Sequence, residues 1–255
     1  MPTALITGAS SGIGATFAKH LSARGYELIL VARRRAQLEA ASKTLPTRSE
    51  VVEADLTVSE DLERVAGLCG AVDLLVNDAG FGTKGFYHKT DLTRQLDMHR
   101  LHVMAPARLI RAALPGMIER NTGGVINVSS VAAYISGPGN ASYCATKAWM
   151  NMFTRTLDLE LRHLGSSVKV QALCPGYTYS SFHDVMGVDR TTIPKSLWLS
   201  ADFVVERSLT GFDRGEVIVI PGWKYSFFAK MVPLLPDSLM RTVASVAAKR
   251  SARVQ

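Results

Sequence analysis

The chain has 255 residues, of which 47% are hydrophobic and 20% charged, and a formal net charge of +7. That balance fits one globular α/β-sized domain with a large core and excludes a disordered or collagen-like chain. The sequence has no run of about eighteen apolar residues, no basic-then-apolar secretory leader at MPTALITGASSG, and no metal-type spacing among Cys69, Cys144 and Cys174, so a cytoplasmic protein with reduced thiols and no bound metal is expected.

Residues 3–7 read as a short apolar strand, followed at once by Gly8-Ala9-Ser10-Ser11-Gly12-Ile13-Gly14 and then by helical spacing through Arg24. Strand, glycine turn and helix are the context of a dinucleotide phosphate site. Glycine lets the backbone approach the pyrophosphate, and the helix N-terminus offers free N–H groups with a favourable dipole. Leu28–Val31 form a second strand that ends in Ala32-Arg33-Arg34-Arg35. An acid at that point would hold the ribose hydroxyls; arginine suits a 2′-phosphate instead, so Arg33 is expected to select NADP, unless the run is only a solvated helix start.

Residues 36–45 read as a helix and Glu50–Glu53 as a third strand, with Asp55 and Leu56 next, placed to contact adenine. A helix over Val58–Cys69 leads to a buried strand over Ala71–Val76, ending Asn77-Asp78-Ala79-Gly80. Leu92–Arg120 is mostly helical, with bends expected at Pro106 and Pro115.

Val125–Val128 is the next strand, Gly137, Pro138 and Gly139 punctuate a loop, and a helix runs from near Ala141 to about Leu164. On that helix Tyr143 and Lys147 lie four residues apart and share a face, while Ser130 sits where the strand ends. A hydroxyl, a phenol and an ammonium converging on one point suit hydride chemistry at a carbonyl. The oxygen becomes an alkoxide as hydride arrives and needs a proton; a cation beside the phenol is expected to lower its pKa, and Ser130 to hold the substrate oxygen.

Val168–Cys174 form strand six, ending Pro175-Gly176. Residues 177–200 lack a strong period and read as a lid over the substrate, Ala201–Thr210 as a helix, and Glu216–Ile220 as a last strand. Alternating strands and helices imply right-handed βαβ units: an α/β, Rossmann-type doubly wound parallel sheet of about seven strands, helices on both faces, over residues 1–222, with a basic extension over 223–255.

Together these motifs resemble the short-chain dehydrogenase/reductase family over roughly residues 3–222. Thr7–Gly14 resembles the family's TGxxxGxG, which implies cofactor contacts at Gly8, Ser10, Ser11, Gly12, Ile13 and Gly14. Asp55 matches the adenine-contacting Asp, with Leu56 beside it. Asn77–Gly80 is similar to NNAG with Asp78 in second place, implying cofactor contacts at Asn77, Ala79 and Gly80. Ser130, Tyr143 and Lys147 match the catalytic residues, the last two also touching the cofactor. Pro175 and Gly176 match the PG of strand six, and Thr178 and Ser180 follow as cofactor contacts, Ser180 where the family often has Thr. The resemblance carries one departure. Aligning Leu114-Pro115-Gly116-Met117 with the common family segment puts His102 at the Asn that completes the family's tetrad. Imidazole can accept and donate, so His102 is expected to serve the proton relay; the alternative is that it packs.

From Gly222 to Gln255 the chain carries six basic residues against Asp237 alone, so this segment supplies +5 of the net charge. Its shape resembles the C-terminal extension of reductases near the 3-oxoacyl-thioester and 17β-hydroxysteroid branch. Tyr225, Phe228, Ala229, Val232 and Leu235 are spaced as an apolar helix face. Such a stripe in a basic segment suits a peripheral contact with a membrane, a wall of the substrate pocket, or a subunit contact. No stacking-aromatic or finger motif accompanies the charge, so nucleic acid is not expected. The resulting expectation is a homo-oligomeric, NADPH-dependent reductase of a ketone on a hydrophobic, lipid-like substrate. An NAD-dependent alcohol dehydrogenase and a catalytically silent NADPH-binding protein are the alternatives.

Overall fold

The structure is a computed structural model that describes residues 1–135, 137–180, 182 and 193–236. Seven parallel strands form one sheet: β1 (Thr3–Thr7), β2 (Glu27–Ala32), β3 (Ser49–Glu53), β4 (Leu74–Asn77), β5 (Gly124–Val128), β6 (Lys169–Leu173) and β7 (Ile218–Val219), in spatial order β3-β2-β1-β4-β5-β6-β7. The apolar runs are continuous because a parallel sheet is covered on both faces. On β1 this is visible residue by residue. Leu5 points into a core shared with Val31, Leu75 and Val125, and Ile6 into the opposite one with Leu30, Val76 and Ile126.

The helices are α1 (Gly12–Ala23), α2 (Arg35–Ser42), α3 (Ser59–Gly67), α4 (Leu92–His99), α5 (Ala105–Glu119), α6 (Ala141–His163), α7 (Ala201–Asp213) and α8 (Trp223–Met231). Leu109 of α5 and Leu161 of α6 fill one face of the sheet, Phe17 of α1 and Leu209 of α7 the other. Strand order reverses between β1 and β4, and a crevice opens there at the strands' C-terminal ends, where open α/β sheets bind ligands.

One expectation is corrected: the last strand is two residues long rather than five. In the 92–120 segment Pro106 lies in the first turn of α5, and Pro115 stands inside the helix without ending it. The irregularity lies upstream, as a π-helical turn over Arg100–Met104. Proline has no N–H for the carbonyl four residues before it and its ring crowds that carbonyl. For Pro106 that carbonyl belongs to His102, so a widened turn is the natural response.

Eleven residues of the expected lid (Ser181 and 183–192) lie outside the described residues, as does the tail beyond 236. Among the described residues, Lys195–Leu197 form a 3-10 turn and Thr178 bridges Leu199. The tail's expected stripe is split: Tyr225 and Ala229 on α8 and Val232 in the 3-10 turn after it are buried, whereas Phe228 is exposed and the helix ends at Met231, before Leu235. No helix among the described residues is long and apolar enough to cross a membrane.

Candidate active site

The site is assembled where β1, β4, β5 and β6 end. Thr7 closes β1 onto the β4 loop by accepting from the N–H groups of Asp78 and Ala79, each at 3.1 Å. A buried polar ladder then fixes the catalytic helix. Asn77 Nδ2 donates to Asn127 Oδ1 at 2.9 Å, Asn127 Nδ2 to Thr154 Oγ1 at 3.0 Å, and Thr154 in turn to the Met150 carbonyl. These buried bonds tie β4, β5 and α6 into one unit, and each would be costly to break.

On that unit Ser130, Tyr143 and Lys147 come together as the sequence predicts. The Ser130 hydroxyl accepts the Ala132 N–H at 3.1 Å and hydrogen-bonds the Tyr143 phenol. Lys147 is buried, donates to the Val128 carbonyl at 2.8 Å, and holds its ammonium 5.8 Å from the centre of the Tyr143 ring. One expectation is corrected here: the phenol's pKa is not lowered. Enclosure of its hydroxyl end pushes it up to about 12, with the Ser130 hydrogen bond acting against that rise. Burial also brings the Lys147 ammonium down to about 8, although the Asp78 charge favours its protonated form. Tyr143 is therefore protonated at neutral pH, the state needed to give a proton.

His102 sits on the π-helical turn, buried, with both ring nitrogens engaged by the protein. Thr146 Oγ1 donates to the Tyr143 carbonyl at 3.0 Å, so toward His102 Nδ1, 3.1 Å away, it offers only lone pairs and Nδ1 carries the ring proton. Nε2 then accepts the Phe81 N–H at 3.2 Å. Gly80 makes room for the ring, since a Cβ there would lie 2.8 Å from Nε2. Burial, reinforced by the Lys147 and His99 charges, keeps the ring neutral by holding its pKa well below the usual histidine range.

This geometry suits a positioning role, holding the Phe81 loop against α6, and sets a stability prediction. A base whose folded pKa is depressed gives stability above its unfolded pKa, ~6.5, and loses it as pH falls below that value. Between pH ~7.5 and ~5.5 the wild type should lose about 1.4 kcal/mol that His102→Asn does not. Urea unfolding of both proteins at the two pH values checks this; identical losses would show that His102 titrates normally. His102→Leu should cost about 1–3 kcal/mol at either pH, by stranding the Phe81 N–H and Thr146.

The glycine loop fits a dinucleotide. A Cβ on Gly14 would come 2.6 Å from the Gly8 carbonyl, and one on Gly12, at φ +60°, 3.1 Å from Ser180 Cβ. The loop thus lies flush on the β4 loop and closes against Ser180. Ser11, the N-cap of α1, makes no side-chain cap, and no acid stands in the helix's first turn. These are the features of an anion-binding terminus in a Rossmann turn.

Thr178 is buried and bonds its own loop at Gly176, 3.0 Å away. Leu56 is buried in the core with Val31 and Val65. Asp55 closes its loop by accepting from Thr57, and its other oxygen lies 3.7 Å from Arg33.

Two residues escaped assignment from sequence. Arg34, not Arg33, reaches the glycine loop, where Nη2 donates to the hydroxyls of Ser10 and Ser11, each at 2.9 Å. The arginine run was visible, but side-chain direction at a strand end was not. Asp78 is the second. Its Oδ2 is 2.7 Å from where a Gly14 Cβ would stand, and it accepts the Gly14 N–H. Burial pushes its carboxyl up to about 8, with Lys147 and that N–H acting against the rise. An ionisable residue at the end of a buried strand was the signal available.

Comparison with known proteins agrees with this geometry. A family model described as short chain dehydrogenase matches residues 2–188. A short-chain dehydrogenase from Sphingobium yanoikuyae, solved in complex with NADPH, superposes with a TM-score of 0.83 at 32% identity, covering 96% of each chain. The bulky-bulky ketone specific alcohol dehydrogenase from Comamonas testosteroni superposes with a TM-score of 0.76 at 28% identity, covering 100% of this chain and 95% of that one. The very-long-chain 3-oxoacyl-CoA reductase of Anas platyrhynchos is 33% identical over 185 residues, 68% of this chain and 59% of that protein. With Ser130, Tyr143 and Lys147 gathered beside a glycine loop on a seven-stranded parallel sheet, the chain belongs to the short chain dehydrogenase family and is an NAD(P)-dependent dehydrogenase/reductase.

Proposed function

We propose that this enzyme reduces a ketone on a bulky hydrophobic, lipid-like substrate to a secondary alcohol, with NADPH preferred over NADH. The observation that carries the reading is the Tyr143 phenol hydrogen-bonded to Ser130, with the buried Lys147 ammonium 5.8 Å from its ring centre. A nicotinamide cofactor, when bound, supplies hydride to the carbonyl carbon. Tyr143 gives its proton to the oxygen as that oxygen gains charge, and Ser130 orients the oxygen through its hydroxyl. Lys147 supplies positive charge on the same helix face, which favours the phenolate left behind.

Cofactor choice rests on Arg34 above Ser10 and Ser11, and on Ala32, with no acid, closing β2. Arg33 is a second cation on the same edge. The hydrophobic substrate rests on the Phe182 ring, 5.9 Å from that of Tyr143, and on the aromatic character of the segment after β6, where Tyr177 and Tyr179 pack on Trp198. The names of the Comamonas and Anas relatives point the same way.

Steady-state NADPH oxidation over a series of methyl ketones of increasing chain length tests the reading. Each buried methylene should raise kcat/KM by up to about fourfold, from ~0.8 kcal/mol apiece, until the pocket is filled. A flat or falling series would remove the hydrophobic-substrate proposal while leaving the reaction class intact.

A further inference from the structure

We propose that the outer face of α8 docks on an anionic lipid membrane. At 3.6 residues per turn, Trp223, Phe227 and Met231 fall within about 80° of one another on this helix. They are 78%, 63% and 42% exposed, and Leu234, in the turn that follows, is 74% exposed. Tyr225 and Ala229 lie on the opposite side, about 180° away, and are buried. Exposure of the outer stripe therefore does not reflect an undocked helix, because the helix has already used its other face.

The inner face is held firmly. Tyr225 Oη donates to the Leu197 carbonyl at 2.6 Å and accepts the Tyr177 N–H at 3.1 Å. Its ring occupies the space in which a side chain on Gly176 would stand. Tyr225 thus pins α8 to the two stems that the Thr178–Leu199 bridge joins, on the substrate side of the crevice. An apolar stripe whose core-facing side is already occupied marks a contact surface.

Charge identifies the occupant. Lys224 and Lys230 flank the stripe on its two sides, and no acid stands on α8. A second copy docking face to face would set these cations against their own equivalents. A surface of anionic headgroups takes the cations and accepts the tryptophan and phenylalanine at its apolar boundary. Docking there would place the substrate side of the site about one helix diameter, ~10 Å, from the lipid. The proposal stands apart from the choice of substrate, since it is tested with none present.

The test is co-sedimentation of the full-length protein with vesicles of equal parts phosphatidylglycerol and phosphatidylcholine, and with phosphatidylcholine alone. Binding should require the anionic lipid and fall on raising salt from about 0.1 M to about 1 M, where the Debye length shrinks from about 10 Å to about 3 Å. Replacing Trp223 and Phe227 together by Ala should lower partitioning at least roughly tenfold. Lys224→Glu with Lys230→Glu should lower it by a similar factor while the apolar stripe stays intact. All variants should bind NADPH and melt as wild type does, which separates a lost surface from a lost fold. Absence of binding, or binding indifferent to salt and to both pairs, would overturn the proposal. So would a dimer in sedimentation velocity that the Trp223/Phe227 pair dissociates, since the face would then join copies of the chain.

Discussion

Tyr143→Phe should abolish most turnover while leaving NADPH affinity nearly unchanged. The substitution removes one oxygen from a ring held between His102 and Phe182, so packing and the α6 backbone survive. What disappears is the proton donor, and loss of general acid catalysis typically costs ~10² to 10⁴ in rate. The phenol stands high, at about 12, so in the wild type the proton is present across the neutral range and its supply should not limit turnover there. Measuring kcat with the best ketone of the series, beside NADPH affinity by titration calorimetry, separates the two effects. Turnover within a few-fold of wild type would remove Tyr143 from the acid's role.

The second large effect is expected at Arg34. Arg34→Ala should weaken NADPH by roughly ten- to a hundredfold, the worth of a charge-assisted hydrogen bond of ~1.5 to 3 kcal/mol, and change NADH only slightly. Arg33→Ala should cost less, because the Arg33 guanidinium is directed toward Asp55 at 3.7 Å rather than toward the loop serines. Competitive titration of both cofactors against both variants decides the matter. Equal losses of NADPH and NADH would show that neither arginine reads the phosphate, and a larger loss at Arg33 would reverse the assignment.

The difference between the two arginines illustrates what a sequence can and cannot convey. The strands were legible because burial on both faces leaves continuous apolar runs, as in Leu28–Val31 and Leu74–Val76. The meeting of Tyr143 and Lys147 was legible because helical spacing is a fixed geometry. Where Lys147 sends its ammonium was not, since that depends on the Val128 carbonyl nineteen residues earlier in the chain. The π turn over Arg100–Met104 was not legible, because the steric demand of Pro106 falls on the carbonyl of His102 four residues before it. The apolar spacing through Tyr225 marks a helix, but that helix ends at Met231 and only Tyr225 and Ala229 of the expected stripe are buried on it. Periodicity does not reveal which side packs, because Trp223, Phe227 and Met231 make a second stripe behind it. The space above Gly176 decides between them, and only the fold contains that space.

The proposed hydride transfer from NADPH to a hydrophobic ketone at Tyr143 is tested most directly with NADPH deuterated at the transferring carbon, followed by mass spectrometry of the product. One deuterium is expected on the carbinol carbon of the secondary alcohol, faster from NADPH than from NADH, with loss of that transfer by ~10² or more in Tyr143→Phe. NADPH bound with normal affinity, but no deuterium transferred to any ketone of the series, would contradict this mechanism and leave a cofactor-binding protein without this chemistry.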